Sequence, residues 1–229
     1  MTSSINQEAI FLNQEADAWF RRNAPSTLQP ASYDDPILKA LRQVKLPEQG
    51  ILLDVGGAWG RIAEAFRREH PTWQCCVVEP SSAAISAGTQ AFPEIKFYQG
   101  SIAQKEGLPC APVDVAIVSG VFCWVDRAFL SRAVSNVDTA IKDGGVLVVA
   151  DFDSPFLRAN PYKHFAGAYS YKQDYAQIFN SLGIYHTVYR FSENLVEHSA
   201  SDNNDPYDRQ WAITILKKDL QGRYFRPQL

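Results

Sequence analysis

The sequence predicts an α/β fold in which a doubly wound, mostly parallel sheet carries helices on both faces. Three observations point there. Strand-length apolar runs alternate with helix-length amphipathic ones, the order that builds a parallel sheet. Most of those runs are apolar nearly throughout, as strands covered on both faces are. The first run, Ile51–Val55, ends in a glycine-rich turn that leads directly into a helical pattern.

The elements follow in chain order. Asn6–Asn23 is a helix candidate, with Ile10, Ala16, Trp19 and Phe20 at near-helical spacing. Five strands are expected at Ile51–Val55, Gln74–Glu79, Ile95–Gln99, Val113–Ser119 and Val146–Asp151. Between them, Gly60–His70 places Ile62, Ala63, Ala65 and Phe66 on one helical face, and Ser81–Phe92 starts from a capping Pro80-Ser81-Ser82. Asp126–Lys142 is longer and amphipathic, and Asp143-Gly144-Gly145 turns it into the fifth strand. Ser154–Tyr175, rich in Pro, Tyr, Phe and His, reads as irregular and precedes a short helix near Tyr171–Leu182. Two last strands, His186–Phe191 and Gln210–Lys217, flank the polar Ser199–Asp208 and should pair antiparallel at the sheet edge. The chain thus reads as one domain, 1–229: a helical cap (1–45), a core (46–152), a lid facing a substrate (153–183) and edge strands (184–229).

At 229 residues, 46% hydrophobic and 21% charged, the composition is that of an ordinary globular protein. A formal net charge of −3 argues against nucleic acid as a partner. The polar N-terminus lacks a signal peptide's basic and apolar regions, and no apolar run nears the roughly 20 residues that span a bilayer. No membrane partner and a cytoplasmic location are expected; oligomeric state is unreadable. Cys75, Cys76, Cys110 and Cys123 show no zinc-like spacing and read as buried, reduced small hydrophobes.

The chemistry concentrates in Ile-Leu-Leu-Asp-Val-Gly-Gly-Ala-Trp-Gly, residues 51–60. Glycines in such a turn let the backbone approach a ligand, and the following helix offers free N–H groups. A dinucleotide site wants G-x-G-x-x-G, and Val55 stands where its first glycine would fall. The second strand ends in Glu79-Pro80, and a carboxylate there can accept bonds from two ribose hydroxyls. In the doubly wound order the crevice opens between the first and fourth strands, so Ser119 and Gly120 leave room for a ligand. Phe122 and Trp124 either offer aromatic faces to a cation or simply pack the loop.

The segment resembles the acidic-x-G-x-G-x-G turn of class I S-adenosylmethionine-dependent methyltransferases. Asp54, Gly56 and Gly60 match it, and Ala58 replaces the middle glycine. The resemblance covers Ile51–Asp151 and implies a seven-stranded sheet of order 3-2-1-4-5-7-6, with S-adenosylmethionine as cofactor. It places Ser101 and Ile102 at the adenine edge, where an acid usually stands at Ser101. More narrowly, the opening Asn-Gln-Glu-Ala-Asp-Ala-Trp-Phe and the Tyr-Ser-Tyr-Lys stretch look like small bacterial methyltransferases of biosynthetic clusters. Arg22, in the N-terminal cap beside Trp19, Phe20 and Arg21, is a candidate partner for the methionine carboxylate; a solvated face is the plainer reading.

The expected reaction is methyl transfer to a small-molecule acceptor, a sugar derivative or natural-product intermediate. His164 is the candidate base by residue type, with Tyr171 among the orienting tyrosines, although in-line methyl transfer needs a base only when the acceptor must lose a proton early. Magnesium at Asp151 and Asp153 would require further converging oxygens, and no metal is expected. Two other readings stay open: a binder of the same cofactor that has lost catalysis, and a nicotinamide-dependent oxidoreductase on the same topology.

Overall fold

A computed structural model describes residues 6–194 and 207–222. Five parallel strands, β1 (Ile51–Val55), β2 (Gln74–Glu79), β3 (Lys96–Gln99), β4 (Val113–Ser119) and β5 (Ile141–Phe152), form the body of the sheet. A two-stranded insert, β6 (Arg158–Pro161) and β7 (Tyr169–Lys172), precedes the edge strands β8 (Tyr185–Asn194) and β9 (Gln210–Lys218). The main sheet runs β3-β2-β1-β4-β5-β9-β8, with β9 antiparallel to both neighbours. Counted over that sheet's own strands this is 3-2-1-4-5-7-6.

The pleat sorts each strand's side chains into two cores. Leu53 and Val55 of β1 face the side packed by α6 (Leu130–Ala140) and α7 (Tyr175–Ser181), with Val137 and Phe179 fully buried there. Leu52 faces the other side, against Ile37, Leu38 and Leu41 of α3 (Pro36–Leu41) and Phe66 of α4 (Arg61–Glu69). Each such buried aliphatic or aromatic side chain contributes roughly 1.5–3 kcal/mol. Asp54 shares the Leu52 face, so its carboxylate is carried into the sheet's interior beside the turn.

Helix starts are set by side-chain caps. Asp35 accepts from the Ile37 N–H at 2.9 Å ahead of Pro36 at the first position of α3. Ser81 accepts from the Ala84 N–H at 3.0 Å to open α5 (Ser82–Ala91). The N-terminal helix runs unbroken through α1 (Gln7–Ile10), a π-helical turn (Phe11–Glu15) and α2 (Ala16–Asn23). No pattern of apolar spacing announces that π turn, which changes the helix's phase between Glu8 and Trp19.

Three expectations need correction. The segment expected to be irregular after the fifth strand contains the β6–β7 hairpin, paired from Arg158↔Lys172 to Pro161↔Tyr169. The Asp143-Gly144-Gly145 turn lies inside β5, absorbed as an irregularity between the Val113↔Ile141 and Val115↔Val146 pairs. Cys76 and Cys110 are joined in a disulfide, whereas Cys75 and Cys123 are free and buried. Cys110 sits in the loop before β4 that folds back on the Cys76 face of the sheet, a proximity that a 34-residue separation does not announce. Most of the expected connection 199–208 lies outside the described residues. Among those described, no helix is long and apolar enough to cross a membrane.

Candidate functional site

The turn after β1 closes the bottom of a cleft of about 320 Å³. Gly56 (φ 68°) and Gly60 (φ 82°) hold left-handed backbone, and a Cβ on Gly56 would collide with Val121. Ala58 adopts φ 48°, a conformation that costs an alanine about 1–2 kcal/mol. It stands at the position where the motif has its middle glycine, so the departure from the motif is one of strain as well as space.

Two carboxyls face this turn. Asp54 is buried, and burial pushes it up to about 7 despite the nearby Arg61 guanidinium; Glu79 and Asp35 raise it further. Its Oδ2 has no hydrogen-bond partner, and neither has the indole Nε1 of Trp59, a residue of the same turn. Glu79 accepts from the Ala58 N–H at 3.0 Å and from the Ser81 N–H at 2.9 Å. Burial still carries it to about 7 against those two bonds. A buried polar atom left unpaired is costly, so this wall is built for polar groups of something that enters.

The opposite wall is aromatic and comes from the N-terminal helix and the loop after β4. Phe11, Ala16 and Trp19 line the cleft with Val121 and Trp124, and Ser119 and Gly120 form its floor beside the turn. A smaller recess of about 60 Å³, lined by Glu8, Leu12, Gly100, Ser101 and Ile102, adjoins it through shared Phe11, Gly56, Pro80, Val121 and Trp124.

Gln7 ties these pieces together. Its buried side-chain amide donates to the carbonyls of Trp124 (2.7 Å) and Tyr169 (2.8 Å) and accepts from the Tyr169 N–H (2.9 Å). Asp17, ten residues further along the same helix, accepts from Ser81 Oγ at 2.7 Å and the Ala83 N–H at 3.1 Å, bonds that hold its carboxyl below the usual range.

A glycine turn, a strand-end acid and a capped cleft on this sheet agree with what the sequence matches. Over residues 20–191 it matches the family described as a methyltransferase domain. The chain belongs to that family. No curated protein matches it. Among solved structures, this methyltransferase-family chain is similar to a 1,6-didemethyltoxoflavin-N1-methyltransferase from Burkholderia thailandensis with bound 1,6-didemethyltoxoflavin and S-adenosylhomocysteine. Identity is 12%, TM-score 0.66, over 96% of this chain and 92% of that one. It is also similar to the N-methyltransferase NodS from Bradyrhizobium japonicum, in complex with S-adenosylhomocysteine, at 16% identity and TM-score 0.58 over 89% and 98%. The MccD protein is a third, at 12% identity and TM-score 0.62 over 84% and 100%.

Of the residues singled out from sequence, Asp54, Gly56, Ala58, Glu79, Pro80, Ser119 and Gly120 converge on the cleft of this methyltransferase-family fold, and Ser101 and Ile102 on its recess. Gly60 braces the turn from behind, where a Cβ would stand 2.8 Å from the Phe97 ring. Trp124 faces the cleft, while Phe122 is buried against Tyr175 and packs the loop.

Three expected residues are not brought in. The Arg22 guanidinium pairs with the buried Glu15 carboxylate and donates to the Tyr162 hydroxyl at 2.9 Å, outside the cleft lining. His164 is exposed, its ring edge-on to Tyr162 with centroids 5.3 Å apart. Tyr171 lies under the Arg127 guanidinium, 4.2 Å from its ring centroid. Asp151 and Asp153 are held by protein partners: Asp151 accepts from the Phe152 and Cys123 N–H groups, and Asp153 pairs with Arg190 and Ser192.

The sequence reading missed Gly57, Arg61, Trp59 and Glu8. Gly57 carried a signal inside the motif: a Cβ there would stand 2.6 Å from Asp54 Oδ2. Arg61 follows Gly60 directly, lines the cleft, and pairs with Asp35 at 2.8 Å. Glu8 carried none, because its place depends on how the N-terminal helix docks.

Proposed function

We propose that this protein transfers a methyl group from S-adenosylmethionine to a small-molecule acceptor. The observation that carries the reading is the pair of buried carboxyls at the glycine turn, one oxygen of Asp54 wholly without a partner. When bound, the cofactor supplies a methyl carbon made electrophilic by its positive sulfur.

Glu79, fixed by two backbone N–H groups, retains lone pairs for ribose hydroxyls. Gly56, Gly57 and Ala58 bring backbone close to the ligand, and Ser101, Ile102 and Pro80 border its base. Arg61, the cation that lines the cleft, replaces Arg22 as the partner for the methionine carboxylate. Phe11, Trp19 and Trp124 exclude water and suit an apolar, flat acceptor. In this reading the rate comes from holding acceptor and methyl group in line. His164 and Tyr171, outside the cleft lining, take no step. The N-terminal cap covers the acceptor through Phe11, Ala16 and Trp19, and the 153–183 segment braces that cap from outside the cleft through the Gln7–Tyr169 bonds.

Calorimetry with S-adenosylmethionine, S-adenosylhomocysteine and NADH tests the cofactor; binding of NADH alone would overturn the reading. Glu79→Ala should weaken S-adenosylhomocysteine by about 1.5–3 kcal/mol, the worth of a charge-assisted bond. Transfer from labelled cofactor over a panel of small acceptors then separates an enzyme from a catalytically silent binder.

A further inference from the structure

The recess beside the cleft has flat apolar walls, Leu12, Val78, Ile102 and Val125, and a single carboxylate among its lining residues, that of Glu8. The Ser101 hydroxyl donates to that carboxylate and accepts from the Ala103 N–H at 3.0 Å, which fixes both the hydroxyl and the acid it serves. A carboxylate accepts at about four sites, and the serine uses one. The one charged group among the lining residues is an acceptor, which suits a flat ring that carries a donor. Burial raises the Glu8 carboxyl above the usual carboxylate range, with the serine bond opposing it.

Glu8 lies on the N-terminal helix, ahead of residue 20 where the family match begins. The same helix is fastened beside Glu79 through Asp17, which accepts from Ser81 Oγ. The helix therefore spans both the ribose acceptor and the recess. We propose that Glu8 receives the exocyclic amino group of the cofactor's adenine, so that the ligand bridges the N-terminal helix to the sheet. The acid that reads the base comes from the cap rather than from the end of β3, where Ser101 stands. The proposal rests on the cofactor reading above and adds a coupling to it: occupancy of the recess holds the cap shut.

The test compares S-adenosylhomocysteine with S-inosylhomocysteine, in which an oxygen replaces the amino group, by calorimetry. The wild type should prefer the amino ligand by roughly 10- to 100-fold. Glu8→Gln should cut that preference to about threefold or less, because an amide can donate to the oxygen as well as accept from the amine. Ser101→Asp placed on Glu8→Ala should restore it. Hydrogen exchange on the wild type gives a second readout that needs no variant: residues 7–15 should be protected by the amino ligand more than by the oxo ligand. Unchanged discrimination in Glu8→Gln and Glu8→Ala, or equal protection by both ligands, would overturn the assignment of Glu8 and leave the cofactor site standing. Failure of the wild type to bind either ligand, with Glu79→Ala indistinguishable from it, would overturn both.

Discussion

Two regions line the same cleft and are satisfied to very different degrees. On the sheet side, the turn 54–60 contains an unpaired carboxylate oxygen, an unpaired indole N–H and an alanine in left-handed backbone. On the cap side, Gln7 makes three side-chain bonds, and Glu15, though only 3% exposed, receives both Arg22 and the Tyr162 hydroxyl. Phe11, Trp124 and Tyr162 close on one another with ring centroids 4.8–6.4 Å apart. The sheet side keeps its interaction energy in reserve for a ligand, while the cap has already used its own on position. Strained and unpaired groups persist only where rigid surroundings hold them, and β1 packed between two cores provides that.

Changing the sheet side should therefore act on ligand affinity first. Gly57→Val should have the largest effect, because its Cβ alone would stand 2.6 Å from Asp54 Oδ2 and 2.7 Å from Cγ. The displaced carboxylate should lower S-adenosylhomocysteine affinity by more than about 100-fold, the loss of two charge-assisted bonds. Near-wild-type affinity in a folded Gly57→Val protein would remove the turn from the binding site. On the cap side, Gln7→Leu deletes three bonds and leaves the Tyr169 N–H unpaired. It should favour local opening of the cap by about 2–4 kcal/mol, read as faster hydrogen exchange over 7–23 and 158–172, with the melting of the sheet little changed. A uniform drop in stability across the chain would contradict the separation of the two regions.

The pH dependence sharpens the same contrast. Burial raises Asp54 and Glu79 to about 7 in the ligand-free protein. Between roughly pH 4 and pH 7 the folded state then holds protons that the unfolded chain has released, so the pair's contribution to stability falls as pH rises through that window. Cofactor affinity should move the other way, since both groups must be ionised to accept its bonds, and should climb as pH passes about 7. Glu79→Gln should flatten both slopes, measured by melting and by calorimetry. Parallel slopes, or none, would show that the carboxyls are already compensated.

The sheet side was legible in the sequence and the cap largely was not, and the reason is range. Asp54, Gly56 and Gly60 lie within seven residues, and Glu79 ends the adjacent strand, so strand periodicity and glycine placement suffice to bring them together. The bounds of β1, β2 and β4 follow from apolar runs alone. Glu8, by contrast, meets Ser101 across 93 residues, and Gln7 meets Tyr169 across 162. Those contacts depend on the π turn and on the β6–β7 hairpin, neither of which has an apolar periodicity to betray it. Residue type offers Arg22 as a partner for an anion beside the plainer solvated face; both Arg22 and Arg61 pair with a carboxylate of the protein, and only Arg61 lines the cleft.

The smallest expected effect falls on Ala58, and it asks whether the turn's strain serves binding at all. Ala58→Gly restores the motif's middle glycine at φ 48°. Relief of left-handed strain favours the variant by about 1–2 kcal/mol, and the added freedom of glycine in the unfolded chain takes back about 0.5–1. A net gain of up to about 1.5 kcal/mol should raise the melting temperature by at most roughly 3–6 °C for a chain of this size. The Ala58 N–H already points at Glu79, so the bond at 3.0 Å does not need the methyl group. If affinity for S-adenosylhomocysteine holds while stability rises, the alanine is a cost the rigid sheet tolerates. If affinity falls, the methyl group itself holds the Glu79 carboxyl in place, and the strain belongs to the site.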